Sequence, residues 1–302
     1  MRTPSLGALA STIVLALAVT GCGTNNDESP ADEGAANTTA TVATAQLDQA
    51  IADKVPAELK SKGVIKIGID PTYAPNEFLD KDGKTVIGMD PDLAKAIGEV
   101  TGLKPEFVVS SFDGILAGIG NKFDIGMSSF TDSKEREEKF DFATYFTAGS
   151  SFFVKADGGP DIKTVADLCG YTVAVQKGTT QQDEATDQAK ECPADKKLDV
   201  AVSPDQASAN TALASGRADV GYADSPIAAY QVKQKKGQFK LSGEPQDSAP
   251  YGIAFEKGSE LAPVFQQAIQ KLIDSGVYES ILKKWGVESG AITTSVVNGA
   301  TS

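Results

Sequence analysis

The sequence predicts an α/β fold in two lobes, and three observations carry that prediction. From Val64 onward, β-branched strand patterns alternate with helical ones. A length of 302 residues suits two domains, or one large one. A second strand–helix cycle opens near residue 150 and a long stretch returns after Tyr251, so the chain is expected to cross between the lobes twice.

The elements follow in order. "VIKIGID" is a strand by its Ile/Val period. "MDPDLAKAIGEVTG" reads as a helix with Asp90 as N-cap, Pro91 at the first helical position and Gly102 just past its end. "PEFVVS" and "FDIGMSS" are strands, separated by a short helix in "FDGILAGIGN". In the second cycle "SSFFVKA" is a strand, "TVADLCG" a turn and short helix, and "YTVAVQKGTT" a strand entering a Gly-Thr loop. "SPDQASANTALASGRA" is a helix ending at Gly216, followed by the strand "DVGYAD". After the strand "YGIAFEK", the segments "LAPVFQQAIQKLIDSG" and "VYESILKKWG" place apolar residues at helical spacing. The closing "AITTSVVNGATS" is expected to fray.

Composition removes several function classes. The chain is 41% hydrophobic and 23% charged, ordinary for a globular protein. A formal net charge of -13 argues against nucleic acid as a partner. There is no histidine, which excludes Ser-His-Asp and Cys-His nucleophiles and makes zinc sites improbable. No cofactor and no metal are expected.

The first 22 residues read as an export signal: Arg2, an apolar run from Leu6 to Val19, then small residues. Their end, "VTGC", resembles a bacterial lipobox, which implies lipidation of Cys22 and anchoring to a membrane. Residues 23–50 are rich in Thr, Ala, Asn, Asp and Glu and read as a flexible tether, with "LDQAIADKVPAELKSKG" as a short helical lead-in. Lobe 1 is expected over 51–149 and 251–302, and lobe 2 over 150–250. Cys169 and Cys192 remain as a pair, and outside the cytoplasm such a pair is a disulfide candidate.

"SSFTDSKER" is the densest chemical signal. Read as strand, it turns Ser129 and Thr131 to one side. Asp132 and Glu135 fit a capping box, which leaves Arg136 in a first helical turn where the dipole disfavours a cation. A bound anion would remove that conflict, since hydroxyls, free N–H groups and a guanidinium together form a carboxylate receptor. Pairing of Arg136 with Glu135, Glu137 or Glu138 on a solvated face is the alternative.

With these motifs in view, the chain resembles the extracytoplasmic solute-binding proteins of bacterial ABC importers for polar amino acids. The resemblance runs through "GIDPTYAPNEF", "GMDPDLAKAIGEVTG", "SFDGILAGIGNKFDIGMSSFTDSKER", "VAVQKGTTQ", "SGRADVGYADSPIAAY" and "LIDSGVYESILKKWG", in that order. It covers about residues 60 to 287. It implies a two-lobed, type II periplasmic-binding-protein-like fold, each lobe a sheet flanked by helices, with two hinge crossings.

The resemblance also implies roles. Arg136, Ser129 and Thr131 match the positions that grip a ligand's α-carboxylate, completed by Thr180 from the second lobe. Asp224 matches the aspartate that receives the α-ammonium. Tyr73 and Phe112 match positions flanking the ligand, and Asp70 an acid near its side chain. Plainer readings stand beside these: Asp224 as a cap before Pro226, Asp70 as the start of a turn, and Tyr73 and Phe112 as core. Asn76 departs from the family, which usually carries an aromatic there; if it faces the pocket it adds a polar contact.

The implied function is a lipid-anchored, monomeric receptor that captures a free polar L-amino acid and delivers it to a membrane permease. Asp70 favours neutral or basic ligands, with glutamate admitted if Lys177 reaches the pocket. The rivals are an extracytoplasmic dehydratase of cyclic precursors of aromatic amino acids, and a sensor module acting on a membrane partner.

Overall fold

The computed structural model describes residues 44–301; the signal segment, Cys22 and most of the expected tether lie outside the described residues. The helical lead-in is α1 (Gln49–Ala52) and α2 (Ala57–Lys62). Then come β1 (Val64–Ile69), a small hairpin sheet of β2 (Thr72–Tyr73), β3 (Glu77–Leu79) and β4 (Val86–Ile87), α3 (Met89–Thr101), β5 (Lys104–Val109), α4 (Phe112–Gly118), β6 (Ile125–Gly126) and α5 (Lys134–Glu137). The first crossing strand, β7 (Phe140–Lys155), leads to β8 (Thr172–Gln176), α6 (Thr180–Glu191), β9 (Asp199–Ser203), α7 (Gln206–Ser215), β10 (Val220–Asp224) and α8 (Ser225–Gln234). The second, β11 (Phe239–Glu256), returns to α9 (Leu261–Ser275) and α10 (Val277–Trp285).

One eight-stranded sheet runs β5-β1-β6-β11-β7-β10-β8-β9. Its outer strands are parallel within each half, whereas β7 and β11 pair antiparallel in the middle. Each half has its own apolar core. One gathers Ile65, Leu93, Ile97, Phe255, Phe265 and Ile281; the other gathers Phe152, Val173, Val175, Leu198 and Tyr222. Helix α9 shows the logic: Leu261, Val264, Phe265, Ala268, Ile269 and Leu272 recur at helical spacing and are all buried. Each large apolar side chain buried there stabilises the fold by roughly 1.5–3 kcal/mol.

Several sequence expectations are corrected. Helix α3 begins two residues earlier than expected, with Gly88 rather than Asp90 as its N-cap. Gly88 has φ 136°, and a Cβ there would lie 2.1 Å from the Asn76 carbonyl oxygen, so only glycine fits. The Asp90 carboxylate turns inward instead. The strand through "FDIGMSS" shrinks to β6, and three residues on Ser129 takes a left-handed φ of 54°. Both crossing strands are far longer than their sequence signals, at 16 and 18 residues; the lobe boundaries expected at 149/150 and 250/251 lie within them, where two crossings would place them. Helices α6 and α8 and strand β9 had no counterpart in the sequence reading.

The C-terminal stretch is not frayed over its described part. Ser295 is buried and donates to the Thr144 carbonyl at 2.6 Å. Asn298 accepts from the Phe142 amide at 2.9 Å, and Val297 bridges to Ala143. Gly299 and Ala300 donate their amides to Asp132 at 2.7 Å and to Glu137 at 2.9 Å. The tail thus pairs along an edge of β7 and holds the turn that carries Arg136. Its low hydrophobicity hid this, since polar bonds rather than apolar burial fix it. In the other half, Cys169 and Cys192 form a disulfide with Cα atoms 5.5 Å apart, tying the short 3-10 turn at Val165–Leu168 to the end of α6.

Candidate functional site

Three strands end at one point. Asp70 follows β1, Gln176 closes β8 and Asp224 closes β10. Carboxyl ends of strands are where α/β sheets form ligand crevices, and here the strands come from both halves. The crevice between them holds about 320 Å3 of atom-free space, open solvent at its mouth included. All eight expected ligand residues line it: Asp70, Tyr73, Phe112, Ser129, Thr131 and Arg136 from one half, Thr180 and Asp224 from the other.

The guanidinium of Arg136 is held from several sides. Nη1 donates to the Thr131 carbonyl at 2.9 Å and Nη2 to the Gly178 carbonyl of the opposite half at 3.1 Å. Its Cζ lies 5.9 Å from the Phe112 ring centre and 5.7 Å from that of Phe130, and these rings stack at 4.6 Å. Burial presses its pKa down, and the Asp224 charge opposes that shift. The capping box expected for Asp132 is not formed: Ser133 caps α5 by accepting from the Arg136 amide, and Asp132 accepts from Gly299. Arg136 remains in the first turn.

Asp224 is buried and caps nothing through its side chain, although it precedes α8. It accepts instead from Tyr73 OH at 2.7 Å, Tyr251 OH at 2.6 Å and Gln181 Nε2 at 2.7 Å. Burial raises its pKa, while those three donors and Arg136 hold it back. Asp70 accepts from Gln176 Nε2 at 2.7 Å and from the Phe112 amide at 3.3 Å. Burial raises its pKa too. The halves therefore touch directly through Tyr73–Asp224, Asp70–Gln176 and Arg136–Gly178. Gly178 sits so close to the facing lobe that a Cβ would lie 3.0 Å from that of Asp113, and its φ is 79°.

Two side chains sit elsewhere than considered. Asn76 does not line the cavity; its amide lies beneath and donates to Ser129 Oγ at 2.9 Å. Lys177 pairs with Asp113 at 2.7 Å and is not a lining residue. Sequence reasoning missed Glu77, Gln176, Gln181 and Tyr251. Gln176 carried a usable signal, as the last residue of a strand before a glycine turn. Gln181 sits two residues past the Thr179 cap, in the first turn of α6, and lines the cavity. Tyr251 is placed by the β11 ladder and a bridge to Thr131, which no local pattern reveals.

A cleft between two lobes, with a guanidinium on one side and a carboxylate on the other, defines a receptor for a small dipolar molecule. The comparisons give the class a family: residues 65–288 match the model of bacterial extracellular solute-binding proteins, family 3, and the chain belongs to that family. It is 36% identical over 248 residues to the arginine-binding protein ArgT of Corynebacterium glutamicum, covering 81% of each chain. Among solved structures, an ancestral arginine-binding protein bound to arginine superposes with a TM-score of 0.69 at 35% identity, covering 74% of this chain and 98% of that one. The amino acid ABC transporter substrate-binding protein AbpA from Streptococcus pneumoniae, bound to L-arginine, gives a TM-score of 0.69 at 29% identity, covering 77% and 99%. The two-lobed, type II fold is thereby that of amino-acid-binding proteins.

Proposed function

We propose that the protein is the substrate-binding component of an ABC importer and takes a cationic L-amino acid, arginine first, into the cleft. Arg136, Thr131, Ser129 and the N-terminal turn of α6 at Thr180 receive the α-carboxylate. Asp224, oriented by Tyr73 and Tyr251, receives the α-ammonium. Phe112 and Tyr73 flank the ligand, and Asp70 faces its side chain. The observation that carries this is the charge balance of the lining: Asp70 and Asp224 against Arg136 alone. A zwitterion satisfies Arg136 and one acid, and a positive side chain answers another. The arginine relatives support the same choice; neutral polar ligands stand second.

The protein is a binding protein and not an enzyme, as its relatives are. A membrane permease is the partner that takes up the ligand, and Cys22 would carry the lipid that holds the receptor outside the cytoplasmic membrane. Residues 150–250 would move as lobe 2 against the rest, with the ligand favouring closure by touching both halves. Calorimetric titration with L-arginine, L-lysine, L-histidine, L-glutamine and L-glutamate tests the reading. Tightest binding of a cationic ligand, at micromolar Kd or below, is expected; no heat with any of them overturns it.

A further inference from the structure

Under the cavity floor two carboxyl groups meet without a counter-cation. Glu77 on β3 and Asp90 in the first turn of α3 are fully buried, and both reach the Ser129 hydroxyl, at 3.1 Å and 3.5 Å. Two like charges buried this close together without a cation repel, so at least one of the pair carries a proton. No lysine or arginine forms an ion pair with either group among the described residues. Their other partners are hydroxyls and one amide. Glu77 accepts from Ser128 Oγ at 2.9 Å and Ser129 Oγ at 3.1 Å. Asp90 accepts from the Ser129 amide at 2.9 Å and Tyr145 OH at 2.8 Å, and its Oδ1 is buried without a partner.

The pair therefore bears on Ser129, a lining residue. Ser129 Oγ already accepts from Asn76, and a serine hydroxyl has one proton to give. An ionised Glu77 draws that proton downward, away from the cavity. A protonated Glu77 is the weaker acceptor and releases it. Burial pushes Glu77 well above the ordinary carboxylate range and Asp90 up to about 7. The other titratable neighbours are Asp70 after β1, Tyr73 on β2 and Tyr145 on β7, with Arg136 and Asp224 across the cavity. Both tyrosines are raised by burial and stay neutral. Asp70 is the one neighbour that also titrates, and its charge raises Glu77 further.

We propose that the Glu77–Asp90 pair positions Ser129: a proton held by the pair frees the Ser129 hydroxyl to donate to the ligand's carboxylate, so binding is linked to protonation of the pair. This rests on the amino-acid reading of the cavity. The test is calorimetric titration of the full chain with L-arginine, or L-glutamine where arginine gives no heat, at pH 6.0, 7.5 and 8.5. At pH 7.5 two buffers of different ionisation enthalpy are used. Affinity is expected to fall about tenfold across that range, the worth of roughly one hydrogen bond, with net proton uptake shown by buffer-dependent heats. Glu77→Gln, permanently neutral, is expected to bind with a flat profile. Parallel profiles for the two proteins overturn the proposal, because the slope then belongs to Asp70 or the ligand. A flat wild-type profile without proton uptake overturns it as well, and that measurement decides alone should the variant not fold. Absence of binding at every pH removes the amino-acid reading itself.

Discussion

Replacing Arg136 by alanine tests the carboxylate grip most directly. The guanidinium has five N–H groups, of which one goes to Thr131 and one to Gly178 within the protein. Three remain, enough for a fork onto both oxygens of a carboxylate. Two charge-assisted bonds are worth about 1.5–3 kcal/mol each, and truncating one partner of a buried charge pair typically costs about 2–5 kcal/mol. The upper part of that range applies, since Phe112 and Phe130 shield the group. Arg136→Ala is therefore expected to weaken binding by about 3–5 kcal/mol, or two to three and a half orders of magnitude in Kd. Arg136→Lys keeps the charge without the fork and should recover part of the loss. Titration calorimetry reads both variants, with thermal melts to show that the fold persists. An Arg136→Ala protein that melts like the parent and binds with the parent's Kd would refute the assignment.

Asp224→Asn keeps the shape but not the charge, and should cost about 2–5 kcal/mol of binding; retained affinity in the same titration would count against it. Because burial raises the pKa of Asp224, binding should also fail on acidification, at a pH above the ordinary aspartate range. Replacing Cys169 and Cys192 together by serine should cost about 3.5 kcal/mol of stability on the chain-entropy model while leaving the Kd unchanged, as denaturant melts and titration would show. Asn298→Ala should cost about 1–2 kcal/mol through its bonds to the Phe142 amide and Asp141, and an unaltered melting temperature would mean the tail carries no load. The raised carboxyls also give stability a sign with pH. Asp90 binds its proton more tightly folded than unfolded, so its contribution is full below about pH 3.8 and is lost as pH rises towards about 7. Asp90→Asn should flatten that part of the stability–pH curve, and an unchanged curve would show that Asp90 is not the group responsible.

Much of the fold was legible because its signals are local. Gly102 and Gly216 stop helices α3 and α7 where the sequence placed those stops, each in the left-handed conformation that glycine accepts. Arg136 and Asp224 were legible only through ordered resemblance, since spacing alone left Arg136 free to pair along its own turn. What failed was set at long range. Asp90 reads as a cap until Ser129 and Tyr145, distant in sequence, supply its donors. Asn76 reads as a pocket residue until the fold lays it beneath Ser129. The tail reads as frayed because Ser295, Asn298 and Gly299 are polar, and only the surface waiting for them on β7 and at Asp132 makes their bonds count.

The paired crossing strands have a mechanical consequence. Two continuous ribbons stitched edge to edge join the halves, so the opening proposed above would have to flex both of them together, as a leaf spring flexes. The ladder is interrupted by register shifts at Ser242/Gln246, Gln246/Ala249 and Tyr251/Gly252, where local disruption of the pairing bends a strand. Tyr251 stands at one of these and grips Asp224 through its hydroxyl. Any bend there tilts the tyrosine against the aspartate, so the spring and the catch are a single part.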